Sequence, residues 1–203
     1  MTSSDQLAID GVIAIHRRSI EYEAFSTEEG LSIVGKLRDS RPWANDGDAV
    51  VVVHDMELRV TVRLSDMTIT ESKATMHVFP HTECPGIVQA FAGLAGLSVT
   101  RGYTRAVQGL FGGPKGCTHL EHLARSFGPV VIQAMTSKRA LAVERGEAET
   151  IFEGTGSPFT RNTCHVWAED GIAEQKLAAG WRPGQGQYPA PPLEVIRQSN
   201  TPS

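Results

Sequence analysis

The sequence has no surplus of positive charge: 19 Lys and Arg stand against 23 Asp and Glu, a formal net charge of -4. Nothing in that balance would hold a phosphate backbone, so DNA and RNA are not expected partners. No apolar run approaches the roughly 20 residues that cross a bilayer, and Met1 to Asp10 lacks the basic-then-apolar layout of a signal peptide. A cytoplasmic protein with no membrane partner is the expectation. Cysteine is scarce. With only Cys84, Cys117 and Cys164, an all-paired disulfide framework is impossible, and free thiols or metal ligands are expected in a reducing compartment. Cys-x-x-Cys, His-Glu-x-x-His and Gly-x-Ser-x-Gly are absent, as is any internal repeat. Any chemistry must therefore be assembled from scattered segments.

What is present suits one α+β domain over residues 12–181, followed by a flexible Pro-rich tail at 182–203 with five prolines. Ile20, Tyr22 and Ala24 alternate, Thr27-Glu28-Glu29-Gly30 turns, and Leu31, Ile33 and Gly35 run back, which predicts an N-terminal hairpin. Asp39 to Asp48, with Pro42 and Trp43, reads as a polar loop. Trp43 there is either the cover of a pocket mouth or an exposed anchor. Val50 to Val53 is continuously apolar, and Met56, Leu58, Val60 and Val62 then alternate with polar neighbours. After a Ser65-Asp66 turn, Met67 to Val78 returns. The result is a mostly antiparallel sheet, hairpin plus meander, backed by helices.

Helical spacing begins after Cys84-Pro85, where Ile87, Val88, Phe91 and Leu94 recur and Cys84 is the expected N-cap. A second helix covers Tyr103 to Phe111 and stops at Gly112-Gly113-Pro114-Lys115-Gly116, a turn that lacks the full phosphate-binding pattern. Thr118 and Glu121 form a capping-box signature for a third helix lined by Leu120, Leu123, Phe127 and Val131, with a kink or break at Gly128-Pro129. Asn162 to Trp167 is either a short strand or a loop.

Every cysteine has a histidine within three residues: His81 with Cys84, His119 with Cys117, His165 with Cys164. Thiolate and imidazole bind zinc or iron, and a helix N-terminus favours the deprotonated sulfur, where Cys84 and Cys117 are expected. Free cysteine is also a common small core residue. His54 interrupts an apolar strand and is either a ligand or base, or a satisfied core histidine. Asp55 points to the opposite face and does not orient it. Arg101, Tyr103 and Arg105 form either a carboxylate clamp or a solvated face.

His54-Asp55-Met56, Cys84-Pro85, Gly116-Cys117-Thr118-His119-Leu120 and Thr163-Cys164-His165 together resemble an uncharacterised bacterial family, domain-of-unknown-function family 2889, over roughly residues 16–169. The resemblance implies that the three cysteine segments share one site. The order of strand, hairpin, short helix and long helix is also distantly similar to the iron–sulfur cluster scaffold proteins. Val52 stands where the scaffold's first cysteine would be and His54 where its aspartate would be, which leaves a mononuclear site.

The expected function is a metal-dependent enzyme acting on a small organic molecule, of lyase, hydratase or hydrolase type. His54 and Cys117 would bind zinc or iron with Cys84 or His119 as a further ligand, and His165 or His81 would be the acid or base. The alternatives are a non-catalytic metal or iron–sulfur carrier, and a metal-free thiol enzyme using Cys117 at its helix start.

Overall fold

A computed structural model describes residues 8–9, 12–46, 49–100, 102–149, 160–182 and 189–199. The fold is α+β. Short strands β1 (Ala8–Ile9) and β2 (Val12–Ile13) pair antiparallel, and β3 (Arg17–Ser26), β4 (Gly30–Asp46), β5 (Ala49–Arg63) and β6 (Thr68–Val78) form a four-stranded antiparallel meander. The expected turns close it: Thr27 N–H donates to Gly30 C=O at 3.0 Å, and Arg63 pairs with Asp66 at the β5–β6 turn.

Period two decides which side of the sheet is dry. Leu31, Ile33, Gly35 and Leu37 of β4 lie opposite Val62, Val60, Leu58 and Met56 of β5 and are buried with them. Across the other edge of β4 they face Ser26, Ala24, Tyr22 and Ile20 of β3. Most of the intervening residues, among them Lys36, Arg59 and Lys73, form an exposed and largely polar face, on which Val34 is buried. Gly35 has a steric reason, because a Cβ there would lie 2.7 Å from Cε1 of Tyr22.

Of the expected loop over 39–48, residues 47–48 lie outside the described residues and 39–46 are strand. Asp39 pairs with His54, Ser40 with Val52, Arg41 with Val51 and Asn45 with Val50, so β4 runs through it. Two bulges, at Asp39/Ser40 and between Arg41 and Asn45, absorb the irregularity. Pro42 falls in the second, where it need not donate to the ladder.

Cys84–Leu94 is a 3₁₀ helix, with Glu83 at the cap position and Cys84 already inside the first turn, which corrects the expected capping role of Cys84. Phe91 within it stacks on Phe111 of α1 (Tyr103–Phe111), centroids 4.4 Å apart. Helix α2 (Thr118–Glu144) continues through Pro129 without the expected break. Its first half buries Leu120, Leu123, Ala124, Phe127 and Val131. The hydroxyls of Tyr22 and Tyr103 donate to the carbonyls of Leu123 and Ala124 at 3.1 and 2.9 Å, and Tyr22 meets Phe127 edge-on. These bonds satisfy buried phenols whose pKa burial raises.

The chain divides into two compact units, Met1–Val131 and Ile132–Ser203, so the division falls inside the expected domain. In the second unit, Asn162–Trp167 is a series of turns rather than a strand. It is followed by α3 (Ile172–Ala178) and α4 (Leu193–Ser199). The stretch expected as a tail thus contains a helix: Leu193 and Ile196, one turn apart, are buried, and Pro192 C=O accepts the first helical bond.

Candidate metal centre

The dry face of the sheet ends in a polar row. Two residues beyond Ile20, Leu37 and Met56 the ladder aligns Arg18, Asp39 and His54 across β3, β4 and β5 on that same face. Asp39 is as buried as its apolar neighbours, 1% exposed. An unpaired carboxylate there would be prohibitive, and the surroundings answer it. Arg18 donates from Nε to Oδ1 and from Nη2 to Oδ2, both at 2.7 Å, a bidentate fork. His16 Nε2 stands 3.2 Å from Oδ1. His54 Nδ1 stands 3.1 Å and His119 Nε2 3.3 Å from Oδ2.

His119 arrives from a different element. The glycine-rich turn after α1 leads to Cys117, whose carbonyl accepts the Glu121 N–H at 2.8 Å, the first bond of α2. Cys117 is therefore the residue before the helix, as expected. The expected capping box does not form: the Glu121 carboxylate instead binds Arg125 one turn on. One residue past Thr118, His119 sits in the first turn and its ring lies against that of His54, centroids 3.9 Å apart.

Arg18 holds the carboxyl of Asp39 well below the usual range, at about 2, with the charges of Arg18, His119 and His16 adding to that and burial opposing it. Asp39 is thus ionised at any physiological pH. Burial lowers the pKa of His119, with the neighbouring His54 and Arg18 acting the same way and Asp39 in the other direction. A neutral His119 keeps a lone pair for a proton or a metal.

Asp39, His54 and His119 bring three donor atoms within 4.8 Å of one another, a group able to hold a metal ion. Of the expected ligands, the structure brings together His54 and His119. Cys117 stands just outside, its Sγ 3.7 Å from His119 Nδ1, the ring nitrogen turned away from Asp39. Cys84 is half-buried in the 3₁₀ helix and is not among the grouped donors. His81 is exposed in the turn before that helix, its carbonyl accepting the Cys84 N–H. His165 and Cys164 are exposed on turns of the second unit. Tyr103 is buried with its hydroxyl committed to Ala124, Arg105 is exposed, and Arg101 lies outside the described residues. Trp43 is exposed and its Nε1 donates to Ile15 C=O at 3.0 Å, the anchoring contact of the two expected roles.

Sequence reasoning missed Asp39, Arg18 and His16. The signal for Asp39 was its place two residues beyond Leu37 in the alternation Leu31, Ile33, Gly35, Leu37. That alternation puts a carboxylate on the core face if the strand continues.

A family of proteins of unknown function, DUF2889, matches residues 16–133, more than half of the chain, and the chain belongs to that family. The match includes His16, Arg18, Asp39, His54, Cys84, Cys117 and His119. It stops before Thr163-Cys164-His165, so the expected extent to residue 169 is shortened. No curated protein matches the chain. No solved structure matches it either.

Proposed function

We propose that this DUF2889 protein is a metal-dependent enzyme acting on a small organic molecule. Asp39, His54 and His119 are the protein ligands of zinc or iron in this reading. The observation that carries it is the convergence of two imidazole nitrogens on one oxygen of a buried, ionised carboxylate. Donor atoms held about 2.0–2.1 Å from a tetrahedral ion stand roughly 3.3 Å apart. The 3.1 and 3.3 Å separations here fit such edges, and 3.3 Å is long for an N–H···O hydrogen bond. Two imidazoles and a carboxylate suit zinc or iron and leave positions open for substrate and water. A bound ion would supply Lewis acidity toward a carbonyl or carboxylate, the chemistry of a lyase, hydratase or hydrolase. The chain's own part is to fix the ligands: the Arg18 fork spans both oxygens and holds the plane of the carboxylate, His16 stands at Oδ1, and Oδ2 also faces the two rings.

The test is zinc and cobalt(II) titration of protein purified without a histidine tag, with elemental analysis. About one ion per chain is expected, with uptake abolished in His54→Ala and His119→Ala and retained in Cys84→Ser. Wild-type protein that takes up no ion in competition with a mild chelator sinks the metal reading, and acid-labile sulfide would favour a cluster carrier.

One contact favours a second reading. Cys117 Sγ, His119 and Asp39 lie in line, sulfur to Nδ1 at 3.7 Å and Nε2 to Oδ2 at 3.3 Å, the order of a thiol, a base and its orienting carboxylate. In that metal-free thiol enzyme, iodoacetamide would label Cys117 far faster than Cys164 despite the greater exposure of Cys164. Equal labelling rates would dismiss it.

A further inference from the structure

We infer that Arg18 anchors an oxyanion of the substrate, a carboxylate or phosphate group, through the edge of its guanidinium that Asp39 leaves open. The inference deepens the reading of this cluster as a substrate site and rests on it. A guanidinium carries five N–H donors in a plane. Asp39 engages the side-on edge, one hydrogen of Nε and one of Nη2. The end-on edge then retains one hydrogen on Nη1 and one on Nη2, side by side, a second fork matched to two oxygens of a planar or tetrahedral anion. Among the described residues Arg18 pairs with no acid other than Asp39.

Burial points the same way. Asp39 is 1% exposed and the Arg18 side chain 38%, so the ion pair presents its cationic member to solvent. The more exposed His16, 53%, shares Oδ1 with Arg18 Nε, and the less exposed His54 and His119 share Oδ2 with Arg18 Nη2. Because Asp39 fixes the guanidinium in orientation, docking an anion on its open edge orders few further rotors. Charge agrees as well: Asp39 is neutralised by Arg18, so a divalent ion on Asp39, His54 and His119 would leave the cluster positive and an anionic substrate would balance it.

The probes are succinate, inorganic phosphate and the uncharged isostere succinamide, titrated by NMR into metal-free and zinc-loaded protein. The readouts are the Arg18 Nε–H signal and the backbone amides of residues 16–20. Succinate or phosphate is expected to bind at least about ten-fold more tightly than succinamide in both forms, as a charge-assisted pair implies, and the tighter of the two identifies the substrate's anionic group. Arg18→Lys should erase the preference, since an ammonium cannot serve Asp39 and a second anion with fixed forks. Arg17→Gln, the neighbour whose side chain leaves the opposite face of β3, should keep it. Equal binding of succinate, phosphate and succinamide by wild-type protein overturns the inference whatever the variants do. So does a preference that survives Arg18→Lys or is lost in Arg17→Gln. Zinc uptake is followed in the same samples, which separates the two claims: anion preference without zinc uptake removes the metal reading alone, and zinc uptake without anion preference removes the Arg18 anchor alone.

Discussion

Two adjacent rows of one sheet face have equally buried centres, Leu37 and Asp39, and opposite chemistry. In the first, Ile20, Leu37 and Met56 face one another across β3, β4 and β5, with Leu37 at 0% and Met56 at 1% exposure. In the second, two residues further along, Arg18, Asp39 and His54 do the same, with Asp39 at 1%. The apolar row is held by exclusion of water and needs no particular partner beyond volume. The polar row persists only because Asp39 accepts the two-pronged Arg18 fork and its oxygens face one nitrogen from each of three imidazoles. Helix α2 brings His119 to the polar row, and its buried Leu123 lies against the dry face of the sheet at Gly35. A core and a site here differ by one pleat.

The comparison breaks if changes in one row have the effects reserved for the other. The largest stability effect belongs to the apolar row: Leu37→Ala should cost about 2–5 kcal/mol by loss of transfer energy and the cavity left behind, with zinc uptake by the folded protein unchanged. Denaturant unfolding and zinc titration check it, and loss of zinc binding in a folded Leu37→Ala would mean that the two rows are one unit.

Next is Asp39→Asn, which keeps the shape but removes the charge that Arg18 and three histidines surround. A stability loss of about 2 kcal/mol is expected, below the range for a fully buried pair because Arg18 reaches solvent. Zinc uptake should vanish. If Asp39→Asn proved more stable than wild type and still took up zinc, the polar row would be neither paired nor a ligand set.

The smallest effect is read in pH. A carboxyl held at about 2 in the folded chain, against 3.8 ordinarily, contributes stability that is present above the ordinary value and lost as pH falls through about 2. The difference amounts to about 2 kcal/mol at most, released gradually between about pH 5 and pH 2. The lowered pKa of His119 has the same sign in a higher window: the folded chain disfavours the imidazolium, so metal-free protein loses stability as pH drops below about 6.5. Denaturant midpoints from pH 8 to pH 2 should show both declines, and Asp39→Asn should lack the acid one. A profile of equal slope in the two proteins would sever Asp39 from the pH response.

Much of the frame was legible. Alternation in Ile20–Ala24, Leu31–Gly35 and Met56–Val62 identifies the strands because a half-buried strand must alternate, and Thr27–Gly30 and Ser65–Asp66 identify turns by their chemistry. The second half of β4 was hidden for a physical reason: bulges let Pro42 and a polar run remain in a strand, so composition read as loop. The cysteines drew attention because thiolates bind metals strongly, yet backbone geometry brought the histidines inward instead. Only beside Cys117 did proximity in sequence point to a residue of the cluster, and there it was His119 that joined it.

The amino-acid sequence by itself determined the α+β class, the hairpin and meander, the helix starts near Cys84 and Cys117, and the candidacy of His54 and His119, because each depends on local periodicity, turn chemistry or side-chain type. Tertiary structure alone decided that His16, Arg18, Asp39, His54 and His119 meet. Their meeting depends on the register of three strands and on where the first turn of α2 lands, and strand register is set by long-range pairing and burial that no local window of sequence contains.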